Sequence, residues 1–329
     1  MINQLQKIKI KFVDFWYGFS PANNYFYKIL SSGYDVELCD EPDILIFSCY
    51  GKEYLKYECI RIFYASENIR PDFSACDYAI TFDYNNDFRH YRLPLYELYI
   101  DQTGSWEQLI RQRSYQECQA IWRAKTKFCC MVVSNGGATE RLAFFKKLSD
   151  YKQVDSGGKV LNNVGGAVKD KLEFIKDYRF VIAFENASYP GYTTEKIIEP
   201  LLTECIPVYW GDPLVTNEFN SSAVLILDSS KSLEKFIDEI ISIDQDEEKA
   251  VRMLMAGKFT GNKFPDSIDK QKLKLFLDNI ITCSSGQLPV AQTWKRYVHV
   301  YKIKVNHIKY RLGLLNNAVS RRLKKFSPL

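Results

Sequence analysis

Residues able to do chemistry concentrate in one short run. Between two apolar segments, RFVIAF from Arg179 and IPVYWG from Ile206, the chain reads ENASYPGYTTEKIIEPLLTEC. The Asn, Ser, Pro and Gly of its first half predict a loop. Thr193, Thr194 and Glu195 predict a helix start, and Ile197, Ile198, Leu201 and Leu202 then share one apolar face. Strand, polar loop, helix and strand make one unit of a parallel α/β sheet. The loop lies at the carboxyl end of a strand, where such sheets bind ligands. A helix N-terminus at that place favours phosphate, and Lys196 adds a point charge. A cation is unfavourable beside the positive end of a helix, so an anion next to Lys196 is expected to explain it.

Three further places carry reactive groups. Glu67 follows the apolar run IRIFYA and reads either as a carboxylate base or as a helix-start glutamate capping the next turn. Arg141 lies in the first turn of an amphipathic segment, ATERLAFFKKLSD, as an anion ligand or as a solvated helix residue. Asp244-Gln245-Asp246 has the Asp-x-Asp form of a divalent-metal site, but it runs into Glu247 and Glu248 before a helix, which is ordinary helix-start composition. The nine cysteines show no CxxC spacing and His90, His299 and His307 lie far from paired cysteines, so no zinc site is expected.

The elements that must position these groups read as an α/β pattern. The first half predicts strands at KIKIKFVDFW, YDVELCD, DILIFSCYG, IRIFYASEN and DYAITFDY, with a helix at PANNYFYKILSS. Ser105–Lys125 predicts one helix that joins two domains. A second series follows: a strand at KFCCMVVSN, the helix carrying Arg141, a Gly-rich stretch at Ser156–Gly166, a helix at VKDKLEFIKDY, the run described above, a strand at AVLILD and three helices. At 329 residues, 46% hydrophobic and 15% aromatic, the chain suits two folded domains rather than disorder. Strands alternating with helices in two series predict two Rossmann-like halves.

The motifs sharpen this. Phe184-Glu185-Asn186, then Tyr192-Thr193-Thr194-Glu195-Lys196, then Pro207-Val208-Tyr209-Trp210-Gly211-Asp212-Pro213 resemble, in order and spacing, the signature of the α-1,3-fucosyltransferases of glycosyltransferase family 10. Phe63–Asn68 resembles the acceptor-side segment of that family, with Ser66 where the family has Gly. Asp77–Tyr96 and Val132–Leu148 also resemble its bacterial members, and the likeness runs over roughly residues 8 to 280.

The resemblance implies a GT-B type α/β fold: two facing Rossmann-like domains with a cleft between them. Residues 1–120 would bind the acceptor, 121–284 the GDP-sugar donor, and 285–329 would form a basic amphipathic helical tail. It implies inverting transfer of L-fucose from GDP-β-L-fucose to a glycan acceptor of N-acetyllactosamine or N-acetylglucosamine type. Glu67 would be the general base. Arg141 and Lys196 would neutralise the leaving diphosphate, and Glu195 would hold the fucosyl hydroxyls or steady charge at the anomeric carbon. Asn186 and Tyr192 would contact the donor. Glu185 is either a donor ligand or a partner of backbone amides. No cofactor or divalent metal is implied. The rivals are a transferase of another nucleotide sugar on the same scaffold and a non-catalytic glycan-binding protein.

The tail has its own pattern. From Asn279 to Leu329 there are ten Lys or Arg and no Asp or Glu, which leaves the remaining chain net acidic although the whole carries +4. The basic character is therefore no sign of nucleic-acid binding. Trp294, Val298, Tyr301, Val305, Ile308, Leu312, Leu315 and Val319 recur at spacings of four and three, a helical seam. The seam suits packing on the protein, an anionic membrane surface, or a homodimer. The N-terminal run lacks the apolar core of a signal peptide and no stretch of ~18 apolar residues occurs. The expected location is the cytoplasm, peripheral on the inner face of the membrane.

Overall fold

The computed structural model describes residues 5–283 and 286–325, with side chains described as far as Tyr310. The chain divides into two compact units. The first contains residues 1–80, 87–91 and 271–329; the second contains 81–86 and 92–270.

The first unit is built on a six-stranded sheet: β1 (Lys7–Val13), β2 (Asp35–Leu38), β3 (Ile44–Phe47), β4 (Ile60–Tyr64), β5 (Tyr78–Thr81) and β6 (His90–Arg92), in the order β2-β1-β3-β4-β5-β6. The pairings β1 with β2, β1 with β3, β3 with β4 and β4 with β5 are parallel. Every residue of β3, β4 and β5 is buried, the near-continuous burial of strands covered on both faces. Helix α1 (Tyr25–Ser31) starts at Asn24, whose side chain accepts from the Tyr27 amide. Because β1 leads through α1 to β2 on one side while β3 lies on the other, the sheet changes direction between β1 and β3.

The second unit carries helices α2 (Leu95–Thr103), α3 (Trp106–Ile110) and α4 (Tyr115–Ala124), then β7 (Lys127–Met131), α5 (Thr139–Ser149), β8 (Val154–Ser156), α6 (Lys171–Ile175), β9 (Tyr178–Phe184), α7 (Glu195–Leu202), β10 (Ile206–Trp210), β11 (Leu225–Ile226), α8 (Leu233–Asp244) and α9 (Glu247–Met255). Its parallel strands order as β11-β10-β9-β7-β8, so this sheet changes direction between β7 and β9. Phe144, Phe180, Phe184, Val208 and Phe236 meet in its main core.

Two expectations change. The single helix expected over Ser105–Lys125 is two, α3 and α4, broken at Arg111–Ser114. Ser114 restarts the helix through a capping box, its hydroxyl accepting from the Glu117 amide while the Glu117 carboxylate accepts from the Ser114 amide. Both helices belong to the second unit, and the chain returns to the first at residue 271, so the units do not follow single cuts at 120 and 284.

After α10 (Lys270–Cys283) comes α11 (Trp294–Lys325). Its start is fixed to the first unit by polar contacts. Tyr54 and His299 are 2.6 Å apart, His299 Nδ1 is 3.1 Å from Asp72, Lys302 reaches Asp72 and Ser74, and Arg296 pairs with Glu58. Of the seam, Trp294, Tyr301 and Ile308 are exposed, joined by Tyr297 and Tyr310, while Val298 and Val305 are half-buried and His299 is buried. The Leu312, Leu315 and Val319 positions of the seam lie outside the described side chains. Among the described residues no helix is long and apolar enough to cross a membrane.

Candidate active site

In the second unit the candidate residues gather at the carboxyl ends of β7, β9 and β10, on the edge where the sheet changes direction. Glu185 follows β9 and is fully buried. Its amide donates to the Trp210 carbonyl at the end of β10 (2.8 Å). Its carboxylate accepts from the Thr194 amide at 2.8 Å and the Thr194 hydroxyl at 3.0 Å. Thr194 is in turn the N-cap of α7. Gly211, at the end of β10, is required here: its φ is +157° and a Cβ would lie 2.5 Å from Glu185 Cγ.

Lys196 has an internal partner. Its Nζ is 3.2 Å from Glu185 Oε2 and 3.4 Å from Glu195 Oε1. The anion expected beside this lysine is thus already present as the buried Glu185 carboxylate. Burial alone lowers the Lys196 pKa, but Glu185 and Glu195 outweigh it and hold the ammonium above the ordinary lysine range. Burial raises Glu185 against the pull of Lys196. Burial also opposes the charge of Glu195, yet Lys196 and Lys171 outweigh it and keep that carboxyl below the usual glutamate range. Of the two readings of Glu185, the structure favours the partner of backbone amides.

Arg141 is buried to 1% exposure on α5, which removes the solvated-helix reading. Its guanidinium donates to the Asn135 carbonyl (3.3 Å), the Glu185 carbonyl (2.9 Å) and Asn186 Oδ1 (2.9 Å). Among the described residues no carboxylate lies within ion-pair distance of it, and its Nε has no hydrogen-bond partner. Burial pushes its pKa down, although the Glu185 charge works the other way. A buried guanidinium supported only by carbonyls is suited to an anionic ligand. Asn186 is exposed beside it. Tyr192 is buried, its ring 5.3 Å from Phe82, so it forms part of the wall rather than an open surface.

In the first unit Glu67 follows β4 and is exposed. No helix begins there, so it caps none, and the Tyr50 hydroxyl donates to its Oε1 at 3.2 Å. Ser66, where the family has Gly, is 2.9 Å from the Ser48 hydroxyl, which itself donates to the Tyr64 carbonyl. A pocket of about 850 Å³ lined by Lys7, Asp40, Asp43, Lys56 and Glu58 lies at the amino ends of these strands, the opposite edge from Glu67. The Asp-x-Asp triplet is occupied by protein: Asp244 pairs with Arg179 and Lys152, and Asp246 caps α9.

Sequence reasoning missed Thr194 as the joint between Glu185 and α7, and Asp212, which accepts from the Thr193 hydroxyl and the Leu214 amide. Both stand inside the quoted motifs, but nothing in one dimension shows that they fold onto each other. Tyr50 had no local signal at all.

Residues 10–99 match the sequence profile of the α-(1,3)-fucosyltransferase FucT N-terminal domain, and residues 122–255 that of the glycosyltransferase family 10 (fucosyltransferase) C-terminal region. An α-(1,3)-fucosyltransferase FucT of Helicobacter pylori is 32% identical over 252 residues, covering 66% of this chain and 52% of that protein. The human GDP-fucose protein O-fucosyltransferase 3 is 28% identical over 220 residues, 62% of this chain and 44% of its own length. The chain thus spans about half the length of these curated relatives. Crystal structures of α1,3-fucosyltransferase with GDP and with GDP-fucose superpose with TM-scores of 0.71 and 0.70 at 26% and 27% identity, over 86% and 85% of this chain and 92% of each of theirs. The two parallel α/β units are those of the GT-B class. With the N-terminal and C-terminal profiles of one family matched in order along residues 10–255, the chain belongs to the fucosyltransferases of glycosyltransferase family 10.

Proposed function

We propose that this protein is an inverting α-1,3-fucosyltransferase that moves L-fucose from GDP-β-L-fucose to a hydroxyl of an N-acetyllactosamine or N-acetylglucosamine-type glycan. The observation that carries the reading is Arg141: a buried guanidinium at the sheet's switch point, held by carbonyls and without a carboxylate partner among the described residues. A diphosphate is a fitting bidentate partner for it.

The chemistry follows from the residues. As the acceptor oxygen attacks the anomeric carbon, its proton passes to the Glu67 carboxylate, a step that typically supplies about 10²–10⁴-fold. The bond to the GDP oxygen breaks on the opposite face, and the charge gathering on the diphosphate meets Arg141, Lys196 and the amino end of α7. To serve the phosphate while remaining paired with Glu185, Lys196 turns one of its three N–H donors away from Thr194 or Glu195. Glu195, ionised at the first position of α7, faces the fucosyl ring, where it accepts from hydroxyls or steadies positive charge. Asn186 borders the donor beside Arg141, and Tyr192 shapes the wall. Arg141 and Lys196 supply the positive charge, so this reading calls for no divalent ion.

The test is Glu67→Gln, assayed with GDP-fucose against N-acetyllactosamine, lactose, N-acetylglucosamine and a peptide acceptor. Transfer to a glycan should fall by about 10²-fold or more while GDP affinity stays unchanged. Loss of GDP binding in this variant, or full activity, would remove Glu67 as the base. The human relative is named for a protein acceptor, and transfer to the peptide alone would replace the glycan reading. Turnover of another nucleotide sugar in preference to GDP-fucose would replace the donor.

We also infer that α11 lies on an anionic membrane surface on the cytoplasmic side. Its described turns expose Trp294, Tyr297, Tyr301 and Ile308 among lysines, the pairing of apolar rings and bases that favours a lipid interface.

A further inference from the structure

The first unit has its own switch point between β1 and β3, and the loops at the carboxyl ends of those strands carry exposed aromatic rings. Trp16 and Tyr17 follow β1, Tyr50 follows β3, and Glu67 follows β4, the next strand along. Trp16 is 40% exposed, Tyr50 50%, and Tyr17 stands wholly clear of the protein. Exposed rings in such a place need a reason, since their apolar faces gain nothing from water.

The loops that carry these rings are held in place. Phe15 stacks on Phe19 with centroids 3.9 Å apart and lies parallel to Tyr64 at 6.1 Å, and Trp16 stands edge-on to Phe19 at 5.2 Å. The loop is cross-tied to its neighbour by Asp14, a non-glycine residue in the left-handed region (φ 60°). The Asp14 carbonyl accepts from the Tyr50 amide at 3.0 Å, and its carboxylate accepts from the amides of Glu53 and Tyr54 at 2.9 Å each. Gly51 permits this approach, since a Cβ there would fall 2.0 Å from Asp14 Oδ1. The Tyr50 hydroxyl then holds Glu67 Oε1. A strained residue, a half-buried aromatic stack and backbone cross-ties thus hold the loops that carry the three rings, beside the carboxylate on the next strand.

We propose that Trp16, Tyr17 and Tyr50 form a platform for the acceptor oligosaccharide, extending from Glu67 across β3 to β1. The inference rests on Glu67 being the acceptor-side base. A pyranose has one face of polarised C–H groups, which suits the negative face of an aromatic ring, while Trp and Tyr keep a polar edge for the hydroxyls. Adjacent strands are about 4.8 Å apart, so the row from β4 to β1 covers roughly 10 Å, about the length of two linked sugars. The reacting sugar sits at Glu67 and Tyr50, and the next sugar lies on Trp16 and Tyr17. The protein therefore prefers an oligosaccharide of at least two residues over a single sugar. Tyr50 is in addition a positioning residue for Glu67.

The experiment compares wild type, Trp16→Ala, Tyr17→Ala and Trp16→Phe on a lactosamine-type tetrasaccharide and on N-acetylglucosamine. Saturation-transfer NMR of the unreacted tetrasaccharide is measured alongside. Each alanine variant should raise KM for the tetrasaccharide by about tenfold, with KM for the monosaccharide and for GDP-fucose moving by less than about twofold. Trp16→Phe should recover most of the loss. The NMR saturation of the distal sugars should fall in the alanine variants. Tyr17 packs against nothing, so Tyr17→Ala still tests the platform if Trp16→Ala fails to fold. An unchanged KM, or an equal rise for both acceptors, would overturn it. If wild type transfers fucose to none of the acceptors, the transferase reading fails separately. The NMR then decides the platform: saturation equal in wild type and variants, or none in wild type, overturns it.

Discussion

At the scale of single residues, Arg141 and Lys196 look alike in the sequence and differ in the structure. Lys196 has two carboxylates close by, whereas Arg141 is held by two carbonyls and an amide oxygen. Donor affinity should therefore depend more on Arg141. Charge-assisted bonds are worth about 1.5–3 kcal/mol each, so Arg141→Lys, which keeps the charge and loses the fork, should weaken GDP binding by roughly tenfold or more. Isothermal titration with GDP, with circular dichroism as a check on folding, decides this; equal affinity in the variant counts against Arg141 as a phosphate ligand. The types and order of the site residues were readable because each motif is continuous in sequence. The identity of the anion beside Lys196 was not. Glu185 stands eleven residues upstream, and only the closing of the Asn186–Thr193 loop brings the two together.

At the scale of elements, long apolar strands and capped helices were legible and interruptions were not. The burial of β3 follows from its continuous apolar run, and that of β4 and β9 from runs interrupted only by Arg61 and Arg179. The break between α3 and α4 turns on Ser114 and Glu117, a capping box that looks like helix interior until the chain before it is seen to leave the helix. The polar part of the α11 attachment was equally hidden, since it uses His299 and Lys302, which lie off the seam. Burial pushes the Asp72 carboxyl up, but hydrogen bonds from Ser74, His299 and Lys302 outweigh it and hold it well below the usual carboxylate range. A carboxyl depressed on folding stabilises the contact above its unfolded pKa of about 3.9 and loses that contribution as acid titrates the folded form. Hydrogen exchange in the first turns of α11, corrected for intrinsic rates, should thus be slow at pH 7 and stay slow at pH 4, and Asp72→Asn should make it fast at pH 7. Unchanged protection in that variant would mean the helix is held by other contacts.

At the scale of the whole molecule, two series of alternating strands and helices were enough to indicate two parallel α/β units. The return of the chain to the first unit at residue 271 was not indicated, because α10 resembles the helices before it in composition and only its packing partners differ. For α11, co-sedimentation of the full chain with vesicles containing phosphatidylserine should exceed that with neutral vesicles and fall in high salt, each base near the surface adding about 1 kcal/mol. Equal binding to both vesicle types would refute the lipid reading, and a dimer by analytical ultracentrifugation that dissociates on Tyr301→Glu would assign the same face to a second copy.

Glu185 has one more consequence. Its carbonyl holds Arg141, its carboxylate holds Thr194 and Lys196, and its amide is tied to the end of β10. A single side chain and its own peptide group therefore set the register among β9, β10, α5 and α7. Such a joint leaves little freedom for gradual change: an altered residue there shifts phosphate binding, helix start and strand end at once. Variation has to enter elsewhere, as at the exposed residues Ser188–Pro190, where side chains can differ without disturbing the frame.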